Sequence, residues 1–156
     1  MNIEEFITSC TRREKQILQQ ATGICEKKGV RLTTLRQVVL ILIYRAADGV
    51  KAYDILREIR QMLPNAAPAI VYRPLHFLLH TSLIYKVNSC QIFKINQLNT
   101  RIVPGALFVC PLCNKQTLVE DQGLMQDLYR LLKLNHYAGE ENILEIVAQC
   151  ENCATS

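Results

Sequence analysis

The residues best placed to do chemistry are cysteines. Cys110-Pro111-Leu112-Cys113 and Cys150-Glu151-Asn152-Cys153 are two CxxC turns. Each can aim two thiolates at one point, and together they offer four sulfur ligands to a tetrahedral site. The 36 residues between the pairs exceed a zinc-ribbon gap, yet they have room for the strand, helix and strand that would bring the pairs together. A zinc ion closed by four thiolates has no position left for water, so such a site is structural and not catalytic. Iron takes the same ligands, and a redox pair with one depressed thiol is the competing use of a CxxC turn. Two matched pairs, with no thioredoxin-like βαβ context, favour one structural zinc per chain. The remaining cysteines, Cys10, Cys25 and Cys90, read as small buried or surface thiols.

Other chemistry is sparse. The chain has three histidines, His76, His80 and His136, and shows neither a Ser/His/Asp set nor a phosphate-cradling glycine loop. An enzyme is therefore not expected. The net charge of +4 conceals a division: residues 1–95 carry 14 Lys and Arg against 7 Asp and Glu, whereas residues 96–156 carry 4 against 7. A front half at +7 suits a polyanionic partner, because cations that neutralise phosphates release condensed counterions. A merely solvated basic surface fits the charge equally well.

The elements that would position these groups follow from caps and periodicity. Thr11-Arg12-Arg13-Glu14 has capping-box spacing and Gly29 is a natural helix end, which predicts a helix over 12–28. Thr34-Leu35-Arg36-Gln37 repeats the pattern ahead of Val38, Val39, Leu42 and Ile43, predicting a second helix that stops before Gly49. A third spans 52–62, with Tyr53, Leu56 and Ile59 on one side and Pro64 beyond it. A fourth spans 68–80, with Pro68 in its first turn; Pro74 falls inside it and predicts a bend or a break. Residues 83–87 and 92–95 are β-prone runs flanking Asn88-Ser89-Cys90-Gln91, a hairpin.

Three or four short helices followed by a hairpin make a winged helix, whose last helix enters the major groove of DNA. The fold class is thus α+β: a winged-helix DNA-binding domain over 1–95, a hinge over 96–105, and a small α/β dimerisation domain over 106–156 carrying the four-cysteine zinc site. The last unit is read as strands over 106–109 and 117–120, a helix over 122–134 and a strand over 143–148. At this size it needs a metal, disulfides or a partner subunit. The longest apolar run, Val38 to Tyr44, is too short to span a membrane, and residues 1–6 lack the order of a signal peptide, so a cytoplasmic location is expected.

Nearly the whole chain resembles the ferric uptake regulator (Fur) superfamily, and within it the zinc uptake regulator (Zur) branch most. The segments that carry the likeness are Gly29 to Arg36, Ala52-Tyr53-Asp54-Ile55-Leu56, Val71-Tyr72-Arg73 with Phe77-Leu78-Leu79, and the paired CxxC. The resemblance implies a homodimeric transcriptional repressor on an AT-rich palindromic operator in double-stranded DNA. Tyr53 and Arg73 would reach bases, and Arg36, Arg31 and Tyr72 would lie mainly at the backbone. Arg forks onto guanine edges or phosphate oxygens, and Tyr offers a ring and a hydroxyl; core packing is the other use for Tyr53 and Tyr72. Pro74 and Thr34 stand where the family usually has alanine and proline.

In the family a second site of His, Cys and Glu ligands binds the sensed metal. The resemblance puts Tyr85, Asn96, Val103 and Leu118 at those four positions, and none is a strong zinc ligand. The expectation is a regulator of zinc or other metal homeostasis that keeps its structural zinc and has lost or altered its sensing site. Cys90, Asn96, His80 and Glu120 are the candidates for a substitute. The alternative is a protein-interaction module, or a metal-independent regulator, on the same fold.

Overall fold

The computed structural model describes residues 2–96, 105–138 and 144–155. The chain forms two compact units, one of residues up to 87 with 91–99, the other of residues 88–90 with those from 100 onward. Most of the expected hinge lies outside the described residues.

The first unit begins with a helix that composition does not announce, α1 (Ile3–Thr8), opened by a capping box between Asn2 and Glu5. It lies against α3 and buries Phe6. Helix α2 (Arg12–Lys27) opens on the expected Thr11/Glu14 box and ends before Gly29, whose φ of 68° is the left-handed conformation glycine tolerates. Helix α3 (Thr34–Arg45) buries Val38, Val39, Leu40, Ile41 and Ile43, so it is apolar nearly all round and forms the centre of the unit.

The expected cap at Thr34 is corrected: Thr33 is the N-cap, and its side chain makes no capping bond. The first turn works in the other direction. Gln37 Nε2 donates to the Leu32 carbonyl at 3.1 Å, and Arg36 Nη1 donates to the Arg31 carbonyl. Side-chain donors thus tie the preceding loop to the helix, where a capping box would have used side-chain acceptors.

Strand β1 (Val50–Lys51) is too short for its composition to predict, and it is followed by α4 (Ala52–Met62) and α5 (Ala69–His80). Strands β2 (Ile84–Val87) and β3 (Ile92–Ile95) form the expected antiparallel hairpin, with Tyr85 opposite Lys94 and Val87 opposite Ile92. β1 pairs with β3, giving the order β1-β3-β2. Gly49, at φ 94°, is required where the chain enters β1, since a Cβ there would lie 2.7 Å from Ile92 Cδ1.

Pro74 does not break α5, which is helical from Ala69 to His80. Its ring is buried beside Val71, Leu75 and Leu78. The residue thus removes one helical NH but fills the core, and packing offsets a cost of about 3 kcal/mol for proline inside a helix.

In the second unit β4 (Gly105–Val109) pairs antiparallel with β5 (Gln116–Glu120) and parallel with β6 (Leu144–Val147). Helix α6 (Gln122–Leu134), capped by Asp121, lies between β5 and β6 in sequence, and α7 (Glu151–Ala154) closes the chain. The buried hydrophobic residues here are Ala106, Leu107, Val109, Cys110 and Met125.

One polar group ties three helices of the first unit together. Glu14 is buried; one carboxylate oxygen accepts from the Thr11 backbone at 2.7 Å and the other from Arg45 Nε at 2.7 Å. The Arg45 guanidinium sits 4.6 Å from the centre of the Phe6 ring. The bond from Arg45, with that from Thr11, holds the Glu14 carboxyl down at about 2, against an ordinary value of 4.5. A depressed carboxyl contributes stability above its unfolded pKa and loses it as pH falls through the folded one. In urea unfolding, Glu14→Gln should therefore be less stable than wild type by roughly 1.5 to 3 kcal/mol at pH 7. That gap should close as pH drops from 4.5 toward 2; a gap constant over this range would contradict the pair's role.

Candidate metal centre and nucleic-acid interface

The parallel pairing of β4 and β6 sets Val109 against Val147, and both CxxC turns follow at the same ends of these strands. The Ala148 backbone N–H donates to the Val109 carbonyl at 3.1 Å, which extends the register toward the second pair. In the first turn the Asn114 N–H returns to the Cys110 carbonyl at 2.9 Å, and Asn114 takes a positive φ of 58°. In the second, Cys150 is the N-cap of α7 and its carbonyl accepts from the Cys153 N–H at 2.9 Å. Each turn thus bends its two thiols to one side.

The result is one cluster in which the sulfurs of Cys110, Cys113, Cys150 and Cys153 all lie within 4.8 Å of one another, with Cys113 and Cys150 at 3.7 Å. A Zn–S bond of about 2.3 Å gives a tetrahedral edge of about 3.8 Å, so the spacing fits the ion. The electrostatics fit as well. Backbone N–H groups of Cys150, Cys113 and Leu112 draw the Cys110 thiol down to about 6. The neighbouring sulfurs, Cys150 first, push Cys153 up to about 12. The first thiol ionises readily and the last resists, because thiolates this close repel one another unless a cation lies between them. A dication with four thiolate ligands resolves that conflict and leaves no open coordination position. Among the described residues this is the one group of three or more His, Cys, Asp or Glu side chains arranged to hold a metal.

The residues expected at a substitute site are divided between the two units. Cys90 and Glu120 belong to the second unit, and His80 and Asn96 to the first. Asn96 Nδ2 is engaged with the Ser82 carbonyl at 3.0 Å. At the positions the resemblance gives to sensing ligands, Tyr85 is half-buried with its phenol pKa raised by burial. Leu118 is exposed on β5, and Val103 lies outside the described residues.

The expected DNA-binding residues all belong to the first unit. In α4, Ile55, Leu56 and Ile59 turn inward and Tyr53 outward. In α5, Val71, Pro74, Leu75 and Leu78 turn inward, which leaves Tyr72, Arg73, His76 and His80 on the solvent face at helical spacing. Tyr53 is 69% exposed and Tyr72 53%, which removes core packing as their use. Arg31 is exposed in the loop before α3. Arg36 is half-exposed, with its guanidinium 3.5 Å from the centre of the Phe77 ring. Neither this stacking nor the Glu14–Arg45 pair was expected from the sequence, since both join residues more than thirty positions apart.

Residues 27–147 match the description of the ferric uptake regulator family. The chain is similar to the zinc uptake regulation protein of Escherichia coli (strain K12), at 31% identity over 140 residues that span 89% of this chain and 82% of the relative. It is also similar to a solved zinc uptake regulator complexed with zinc and DNA. There the identity is 29%, the TM-score 0.76, and the coverage 94% of this chain and 97% of that one. A third likeness is to holo XcZur, with 28% identity, a TM-score of 0.72, and coverage of 92% and 99%.

Metal analysis of the purified chain should find about one zinc per chain, bound whether or not DNA is present. Cys113→Ser removes the most exposed of the four thiols and little packing, so its effect should come through the metal. It should weaken zinc binding by more than about 100-fold, and acid should release the ion as the thiolates take up protons. Full zinc retention by this variant would contradict the four-ligand site.

Proposed function

Because the chain belongs to the ferric uptake regulator family, on its zinc uptake regulator branch, we propose that it is a DNA-binding repressor of zinc or other metal homeostasis genes. The family is one of regulators and not of enzymes. In this reading Cys110, Cys113, Cys150 and Cys153 hold a structural zinc, and the second, sensing site of the family is lost. The carrying observation is the exposed aromatic and basic face of the first unit, where Tyr53, Tyr72 and Arg73 project from α4 and α5 while the opposite sides of both helices fill the core. Arg73 and Tyr53 would read base edges, with Arg31, Arg36 and Tyr72 on the phosphate backbone.

A homodimer on an AT-rich palindrome completes the proposal. In the second unit α6 buries Met125 alone and exposes Leu124, Leu131 and Leu134. Phe108, Val119 and Val147 are also exposed. So much apolar surface on so small a unit suits a second copy. Two copies related by a two-fold axis would present two α5 helices to two half-sites. Among the described residues no helix is long and apolar enough to cross a membrane, which is compatible with action on DNA in the cytoplasm.

Loss of sensing is supported by the residues themselves. A half-buried phenol at Tyr85, an amide already bonded at Asn96 and a leucine at position 118 offer zinc no strong donor. The competing idea of a protein-interaction module draws on the missing sensing ligands and on Pro74, which would spoil a reading helix if it broke α5. With Pro74 on the buried side of a helix that runs from Ala69 to His80, the second of these arguments loses its force.

Arg73→Ala tests the proposal. It should cost roughly 1 to 3 kcal/mol of affinity for a palindromic operator duplex, read by fluorescence anisotropy at fixed salt, with the thermal midpoint and zinc content unchanged. Equal binding by wild type and variant would overturn the base-reading role. Absence of duplex binding by the wild type would overturn the DNA-binding function.

A further inference from the structure

Resting on the DNA-binding reading, we propose that Phe77 is a positioning residue, whose ring holds the Arg36 guanidinium in the orientation that meets a DNA phosphate. Three observations converge. The guanidinium lies 3.5 Å from the ring centre, close enough for its plane to rest on the aromatic face. One of its nitrogens donates to the Arg31 carbonyl, which fixes rotation about the stacking axis and ties the loop before α3. The group nevertheless stays half-exposed, and an Arg carries five N–H donors, so several remain to be offered outward.

A lysine and two histidines lie near it. The Phe77 ring also lines a groove with Lys28, Val30, His76 and His80. Lys28 is already engaged there, its ammonium donating to the Thr81 carbonyl at the end of α5 at 2.9 Å. Arg36 is thus a fixed cation of this region with donors to spare, and it joins the first turn of α3 to the helix that carries Tyr72 and Arg73. A free arginine loses rotamer entropy when it grips a phosphate; one held in advance on a ring loses less.

Equilibrium binding to a palindromic duplex over a series of salt concentrations tests this, with Arg36→Ala, Phe77→Leu and the double variant. Arg36→Ala should lower the slope of log affinity against log salt by about one, the mark of a lost phosphate contact. Phe77→Leu keeps an apolar side chain against the core, and should weaken binding about two- to fivefold while also lowering the slope. In the Arg36→Ala background Phe77→Leu should cost nothing further. Phe77→Tyr, which keeps the ring, should restore wild-type affinity and slope, and it carries the test if the leucine variant fails to fold. Arg36→Lys keeps the charge but not the planar fork and should not restore them.

Additive losses from Arg36→Ala and Phe77→Leu, an unchanged slope in Arg36→Ala, or full function in Arg36→Lys would each overturn the proposal while leaving DNA binding intact. A wild type that binds no duplex would instead overturn the reading on which the proposal rests.

Discussion

Four thiols held within 4.8 Å of one another are the constraint on which the second unit depends. As thiols they bring little to packing, and as thiolates they repel. The strand order β5-β4-β6 brings both CxxC turns to one end of the sheet, and a cation bound among four thiolates relieves the repulsion created there. The rest of the unit is too slight to do so: α6 buries one side chain and β5 is exposed along most of its length. A bound metal and the proposed second copy over its apolar face would supply the stability that a unit this small needs.

The first unit is held by different means. A nearly all-apolar α3 lies at the centre, and α4 and α5 present inward faces to the core cluster of the unit. Fixing the inner faces of α4 and α5 also fixes what the outer faces show. Tyr53, Tyr72 and Arg73 are exposed because their neighbours at helical spacing are buried, so the proposed interface is a by-product of the packing. Arg45 on Glu14 and Phe6, like Arg36 on Phe77, shows a guanidinium joining two elements through an aromatic face and a hydrogen bond. In the first the charge is consumed by a carboxylate. In the second its partner is a neutral carbonyl, so the charge remains for a ligand.

How much of this was legible in the sequence depended on the range of the interaction. The Thr11/Glu14 box, the hairpin around residues 88–91 and the two CxxC turns are local, and each is written in a few adjacent residues. The pattern T-x-x-Q recurs and points to Thr34 as a cap, whereas the true cap lies one residue earlier and the first turn uses donors. Local propensity points to a bend or a break at Pro74 because it cannot show that the ring is buried. Helix α1, strand β1, the Glu14–Arg45 pair and the Arg36–Phe77 stack went unseen. The first two are short, and the pairs span 31 and 41 positions, so only the folded chain reveals them.

In the proposed function, metal builds this protein and does not switch it. That claim is tested most directly by measuring operator affinity at fixed salt on protein holding only its four-cysteine zinc, then again as free zinc is raised stepwise. An affinity that stays flat across the titration is the predicted result. An affinity that climbs tenfold or more with added zinc would show a second, sensing site and contradict the account.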